Sequence, residues 1–183
     1  MMRALATHHH AAKVNAVLYT KHAQRFNELL QQVNPDFGIN FIQISRLGPE
    51  SAILLKEKID QGELVVIVGD RTPPVESGSR RVRLIDFLGS PAPFAEGPFI
   101  LASLLECPVY LFYCLREGKN FQIYLDHFAD RIDLPRRSRQ ERLGEYMQQY
   151  ARNLESFCLK APEQWFNFYD FWRHETADTA EKN

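Results

Sequence analysis

Five consecutive apolar residues, Leu64-Val65-Val66-Ile67-Val68, run directly into Gly69-Asp70-Arg71. A strand with no polar residue to turn outward suits a sheet covered on both faces, as parallel strands between helices are. The run therefore predicts a central parallel strand. Two strand–helix units lead up to it. Val14 to Tyr19 reads as a strand, and Ala23, Phe26, Leu29, Leu30 and Val33 follow at helical spacing between Lys21 and Val33. After the turn signal Asn34-Pro35-Asp36-Phe37-Gly38, Ile39 to Ile44 alternates as a strand does. Pro49 then opens a helix carrying Ile53, Leu54, Leu55 and Ile59, which Gly62 is suited to stop. Three strands separated by two helices predict an α/β domain with a mostly parallel sheet flanked by helices.

Beyond Arg71 the chain is rich in Pro, Gly and Ser up to Arg81, a long loop, and Val82 to Leu88 reads as a further strand. Pro98 opens a helix through Leu105, and Pro108 stops it ahead of a buried strand, Val109 to Cys114. Glu117-Gly118-Lys119-Asn120 has the character of a hairpin turn, so Phe121 to Leu125 completes the sheet. From Ser138 to Leu159, Leu143, Tyr146, Met147, Tyr150, Leu154 and Phe157 recur every three or four positions and predict one long amphipathic helix. Residues 1–173 are expected to form a single domain, and 174–183, small, polar and acidic, a disordered tail.

Composition narrows the function classes. A chain of 183 residues with 45% hydrophobic and 25% charged residues has the balance of one globular domain. A formal net charge of −1 excludes a chain-wide field for nucleic acid. Cys107, Cys114 and Cys158 have no C-x-x-C spacing and fit a reducing compartment. No run approaches the roughly 20 apolar residues of a membrane span. His8, His9 and His10 are adjacent, so on a helix they point apart and cannot share one metal ion. No metal or organic cofactor is expected.

Ligands in open parallel sheets collect beyond the carboxyl ends of the strands, which makes Gly69-Asp70-Arg71 the first candidate site. Arginine suits phosphate or carboxylate there, and a local Asp70–Arg71 pair holding the loop is the plainer alternative. The second candidate is Glu96-Gly97, just ahead of the helix that Pro98 opens, where free N–H groups attract anions and where a simple helix cap would also fit. Arg80, Arg81 and Arg83 lie between the two and suit anion or headgroup contacts. Arg131, Arg136, Arg137, Arg139 and Arg142 form a looser basic group, diluted by Asp130, Asp133 and Glu141. The aromatic stretch from Trp165 to Trp172 fits either core packing or a membrane–water interface.

Four blocks in order, Val66-Ile67-Val68-Gly69-Asp70-Arg71-Thr72-Pro73, Phe87-Leu88-Gly89-Ser90-Pro91-Ala92, Phe94-Ala95-Glu96-Gly97-Pro98-Phe99 and Cys107-Pro108-Val109, resemble the lysophospholipid acyltransferase superfamily, in its lipid A biosynthesis branch. The resemblance spans about Lys13 to Trp172. It implies an acyltransferase-like αβα sandwich that moves an acyl group from acyl carrier protein or acyl-CoA to a lipid acceptor at the cytoplasmic face of the membrane. It also implies that Asp70, Arg71, Glu96 and Gly97 contact substrate.

One family feature is missing. Such enzymes use an H-x-x-x-x-D or H-x-x-x-x-E dyad, with the histidine as general base and the carboxylate orienting it. Five positions after His8, His9, His10, His22, His127 and His174 stand Lys13, Val14, Asn15, Asn27, Ile132 and Thr179. No catalytic dyad is expected, and the resemblance implies a domain truncated at its N-terminus and inactive alone. The alternative is a non-catalytic protein that binds lipid or acyl carrier on the same fold. A homodimer fits the surface that such a truncation would expose. A nucleotide-binding domain is disfavoured, since no G-x-G-x-x-G or G-x-x-x-x-G-K-[ST] follows a strand.

Overall fold

A computed structural model of the chain describes residues 13–18, 39–43, 49–71 and 81–172. The helix expected over Lys21–Val33, the histidine run, Arg80 and the tail lie outside these residues.

Three strands, β1 (Val14–Leu18), β2 (Ile39–Gln43) and β3 (Leu64–Ile67), form a parallel sheet in the order β2-β1-β3. The central strand is thus β1, and β3 is an edge of the described sheet, contrary to what its apolar run suggests. Burial follows position: Val14, Asn15, Ala16 and Val17 are all closed off, whereas Leu64 keeps 38% of its surface exposed. Hydropathy reports how much apolar surface a strand offers, and pairing decides how much of it is covered.

The polar member of β1 is held from both sides. Asn15 Nδ2 donates to Glu63 Oε2 at 2.8 Å, and Asn15 Oδ1 accepts from Asn40 Nδ2 at 3.1 Å. These bonds satisfy a buried amide and fix the register of β1 against both neighbours. Helix α1 (Pro49–Asp60) ends in a Schellman turn, with Gly62 at φ +75° and Glu63 N–H on the Lys58 carbonyl at 3.0 Å. The glycine stop read from the sequence is therefore present. Leu55 of α1 packs with Val17, Leu101 and Leu105 in an aliphatic cluster.

The remaining strands pair antiparallel, so the described residues hold three sheets rather than one. Strands β4 (Val82–Phe87) and β5 (Ser90–Ala95) form a hairpin through Leu88-Gly89, both at positive φ, as a tight type I′ turn requires. Pro91 and Pro93 face Asp86 and Leu84 across it. In such a hairpin these are the pairs that exchange no ladder bond, so proline costs no donor to β4. Helix α2 (Gly97–Leu105) follows, with proline in its first turn.

Strands β6 (Val109–Glu117) and β7 (Asn120–Ala129) form the second hairpin, with Gly118 at φ +63° in the turn. Strand β6 is half-buried rather than enclosed, with Tyr110 53% exposed. Helix α3 (Arg139–Lys160) lies across both hairpins, burying Leu143, Met147, Ala151, Leu154 and Cys158 at intervals of three and four. Its Gln148 donates to the Asp86 carbonyl at 2.9 Å, and its Phe157 stacks on Tyr113 at 4.0 Å. Phe87, Phe94, Trp165 and Phe171 form the aromatic centre of this half. The mixed α/β class and the long C-terminal helix are as the sequence predicts.

Candidate functional site

Gly69, Asp70 and Arg71 leave the carboxyl end of β3, where a parallel sheet offers its ligands a crevice. What holds them comes from the far end of the chain. A Cβ on Gly69 would stand 2.8 Å from the Tyr150 hydroxyl, so the absence of a side chain lets the loop press on α3. Trp165 Nε1 donates to Asp70 Oδ2 at 3.1 Å. Arg71 Nη1 donates to Asn167 Oδ1 at 2.6 Å, and its guanidinium lies over the Tyr169 ring, 5.4 Å from the centroid. Asp70 and Arg71 themselves approach only to 3.9 Å. Neither charge is consumed by the other.

The Asp70 carboxylate also acts on the groups behind it. Burial first, and then Asp70, push the Tyr150 hydroxyl well above its ordinary pKa. Tyr113 is raised by burial, with Asp126, Cys158 and Asp70 adding to it, and Cys158 is pushed up to about 11 by burial and then Asp70. All three stay protonated near neutral pH, able to donate hydrogen bonds but poor as bases or nucleophiles. Burial opposes the charge on Arg71, but Tyr169 and Asp70 outweigh it and raise its pKa. The corner thus combines a fixed cation, a carboxylate and neutral hydroxyls.

Glu96 stands at the start of α2 without making a side-chain capping bond. Its Oε1 accepts from Arg83 Nε at 3.2 Å. Arg83 continues to the Gln140 carbonyl at 3.0 Å and also bonds the Gln140 side chain. Gly144 makes room for it, since a Cβ there would meet Arg83 Nη1 at 3.0 Å. Arg83 thus ties β4 to the starts of α2 and α3. Arg81 is exposed, and its carbonyl accepts from Glu96 N–H at 3.0 Å.

Among the described residues one histidine has a carboxylate neighbour. His127 Nε2 lies 3.1 Å from Asp130 Oδ1 at the exposed end of β7, three residues away rather than five. No group of three His, Cys, Asp or Glu side chains among the described residues is placed to hold a metal. No described helix is long and apolar enough to cross a membrane. Within the basic group, Arg142 pairs with Glu145 at 2.6 Å and lies over Tyr146.

Trp165, Asn167, Tyr169 and Tyr150 meet the Gly69–Arg71 turn only through the fold. The aromatic stretch was visible as a cluster, but nothing local links it to a loop about 95 residues earlier. Comparison with models of known families matches residues 2–174 to bacterial lipid A biosynthesis acyltransferase.

The chain belongs to that family.

A search of the curated proteins finds no match. In this lipid A acyltransferase-family chain the four blocks map onto consecutive structural joints. The first ends β3, the second is the β4–β5 hairpin, the third passes from β5 into α2, and the fourth enters β6. The family implies an acyl donor and a lipid acceptor as substrates.

Proposed function

We propose that the domain binds an acyl thioester, carried by acyl carrier protein or coenzyme A, together with a lipid or glycolipid acceptor, at the inner surface of the cytoplasmic membrane. Asp70 and Arg71 supply one binding part of the site, and Glu96 and Gly97, at the start of α2, supply another. Arg71 is suited to a phosphate, of the donor's pantetheine arm or of the acceptor, because its guanidinium is held in place yet only loosely paired with Asp70. The reading rests on one conjunction: a family match over residues 2–174 and a held, incompletely neutralised Asp–Arg pair at the carboxyl end of a parallel strand.

Family chemistry needs a base to take the acceptor's proton as the acyl carbon is attacked and the thiolate leaves. None of the six histidines has an acidic residue five positions on, and the hydroxyls and thiol near Asp70 are held protonated. We therefore propose that this chain by itself binds donor without turning it over, which joins the acyltransferase reading to the binding-protein alternative. The test is acyl transfer from an acyl thioester to a lipid acceptor, followed by mass spectrometry, alongside calorimetric binding of the same donor. Donor binding that Arg71→Met abolishes, without acyl product, is the expected result. Turnover by this chain overturns the inactivity, and absence of donor binding overturns the site.

A further inference from the structure

The segment after α3 divides its aromatic residues sharply. Trp165 packs on Phe87 at 5.3 Å and Phe171 is 2% exposed, whereas Phe166, Phe168 and Tyr169 are 64%, 90% and 48% exposed. The two exposed phenylalanines lie side by side, ring centroids 6.4 Å apart. Their outward position is built in. Phe166 sits at φ +53°, a left-handed conformation that side chains with a Cβ rarely adopt. The flanking residues hold it there: Trp165 by its bond to Asp70, Asn167 by its bond to Arg71, and Phe171 by the core.

We infer that Phe166 and Phe168 form a wedge that enters the surface of a phospholipid bilayer and seats the Asp70–Arg71 corner against it. Two features favour a bilayer over a second copy of the chain. Fully covering two phenylalanines buries roughly 400 Å², well short of the roughly 800 Å² per partner of a stable interface. The surrounding charge is mixed: Arg71 and Arg116, whose backbone is clasped by Gln164, stand with the exposed Glu163 and Asp170. Balanced charge complements zwitterionic headgroups, with the rings supplying the attachment. Arg71, at the root of the wedge, is then level with lipid phosphates. The inference rests on the proposed lipid-directed function in choosing a bilayer as the apolar partner.

The full chain is mixed with phosphatidylcholine–phosphatidylethanolamine vesicles and floated at low salt and at about 0.5 M salt, where exposed charge pairs are largely screened. The chain should float at both, and the Phe166→Ser/Phe168→Ser variant should partition at least about tenfold less, since two rings leave the apolar phase. Near-UV circular dichroism checks that the variant's buried aromatics are unchanged. A chain that does not float, floats only at low salt, or floats equally well without the two rings overturns the inference. So does a dimer, seen by sedimentation, that the two substitutions dissolve. Vesicle binding that needs the rings in a chain that binds no acyl thioester would sink the proposed function and leave the wedge standing.

Discussion

Arg71 and Arg83 each stand beside a carboxylate, Asp70 at 3.9 Å and Glu96 at 3.2 Å, and each reaches a residue from or beyond α3. The partners differ in kind. Arg83 is taken up by a carboxylate, a backbone carbonyl and a glutamine amide, so its charge is spent joining three elements. Arg71 is steadied by an asparagine and an aromatic face, which fix its direction without neutralising it. Similar arginine–carboxylate pairs thus serve different ends: the closer carboxylate and the bonds to α3 make Arg83 a strut, whereas the longer approach to Asp70 leaves Arg71 the freer charge.

The largest effect should come from Arg83→Met, which strands a Glu96 carboxylate that is only 13% exposed. A loss of about 3 kcal/mol in urea unfolding is expected, partly recovered by adding Glu96→Gln. Arg71→Met should cost less than about 1 kcal/mol, because the side chain is over a third exposed, yet weaken acyl-donor binding at least about tenfold. Equal stability losses at the two arginines would break the comparison.

Two glycines sharpen it. In Gly69→Ala the new methyl meets a tyrosine ring held edge-on by Phe94 and Phe99 at 6.0 and 5.7 Å, so about 2 kcal/mol should be lost and the Asp70–Arg71 loop displaced. In Gly144→Ala the methyl meets only the far end of Arg83, and the gain in helix propensity should leave the melting temperature unchanged or slightly raised, by up to about 1 kcal/mol in stability.

The smallest effect is electrostatic. The amide of Asn15 first, and then Lys58 and Lys13, hold the Glu63 carboxyl below its ordinary value of 4.5 despite some burial. A carboxyl whose pKa is lower in the fold stabilises it above pH 4.5, and that stability is lost as pH falls through the folded value. Asn15→Ser should therefore flatten the acid side of the stability profile, read from urea midpoints between about pH 3 and 6.

Features encoded by neighbouring residues were legible in the sequence: the Gly62 stop, the stripe of α3, the Gly118 turn, the end of β3 and the start of β6. Features set by pairing were not. Ser90–Ala95 contains two prolines and reads as a motif rather than a strand, because only the hairpin register shows that neither proline owes β4 a bond. β3 is more apolar than β1, yet β1 takes the centre. At the site the charged pair was visible, but its asparagine and tryptophan partners enter through a tertiary contact with no sequence signature.

Gln164 has a consequence of a different kind. Its amide accepts from the Arg116 backbone N–H at 2.7 Å and donates to the Arg116 carbonyl at 3.0 Å, as a neighbouring strand would. It thereby plugs the open margin of β6 at the tip of the hairpin. Without that plug the margin is a template on which another chain can lay down a strand. The short segment that holds Asp70 and Arg71 thus also occupies, at Arg116, backbone groups that an added strand would need.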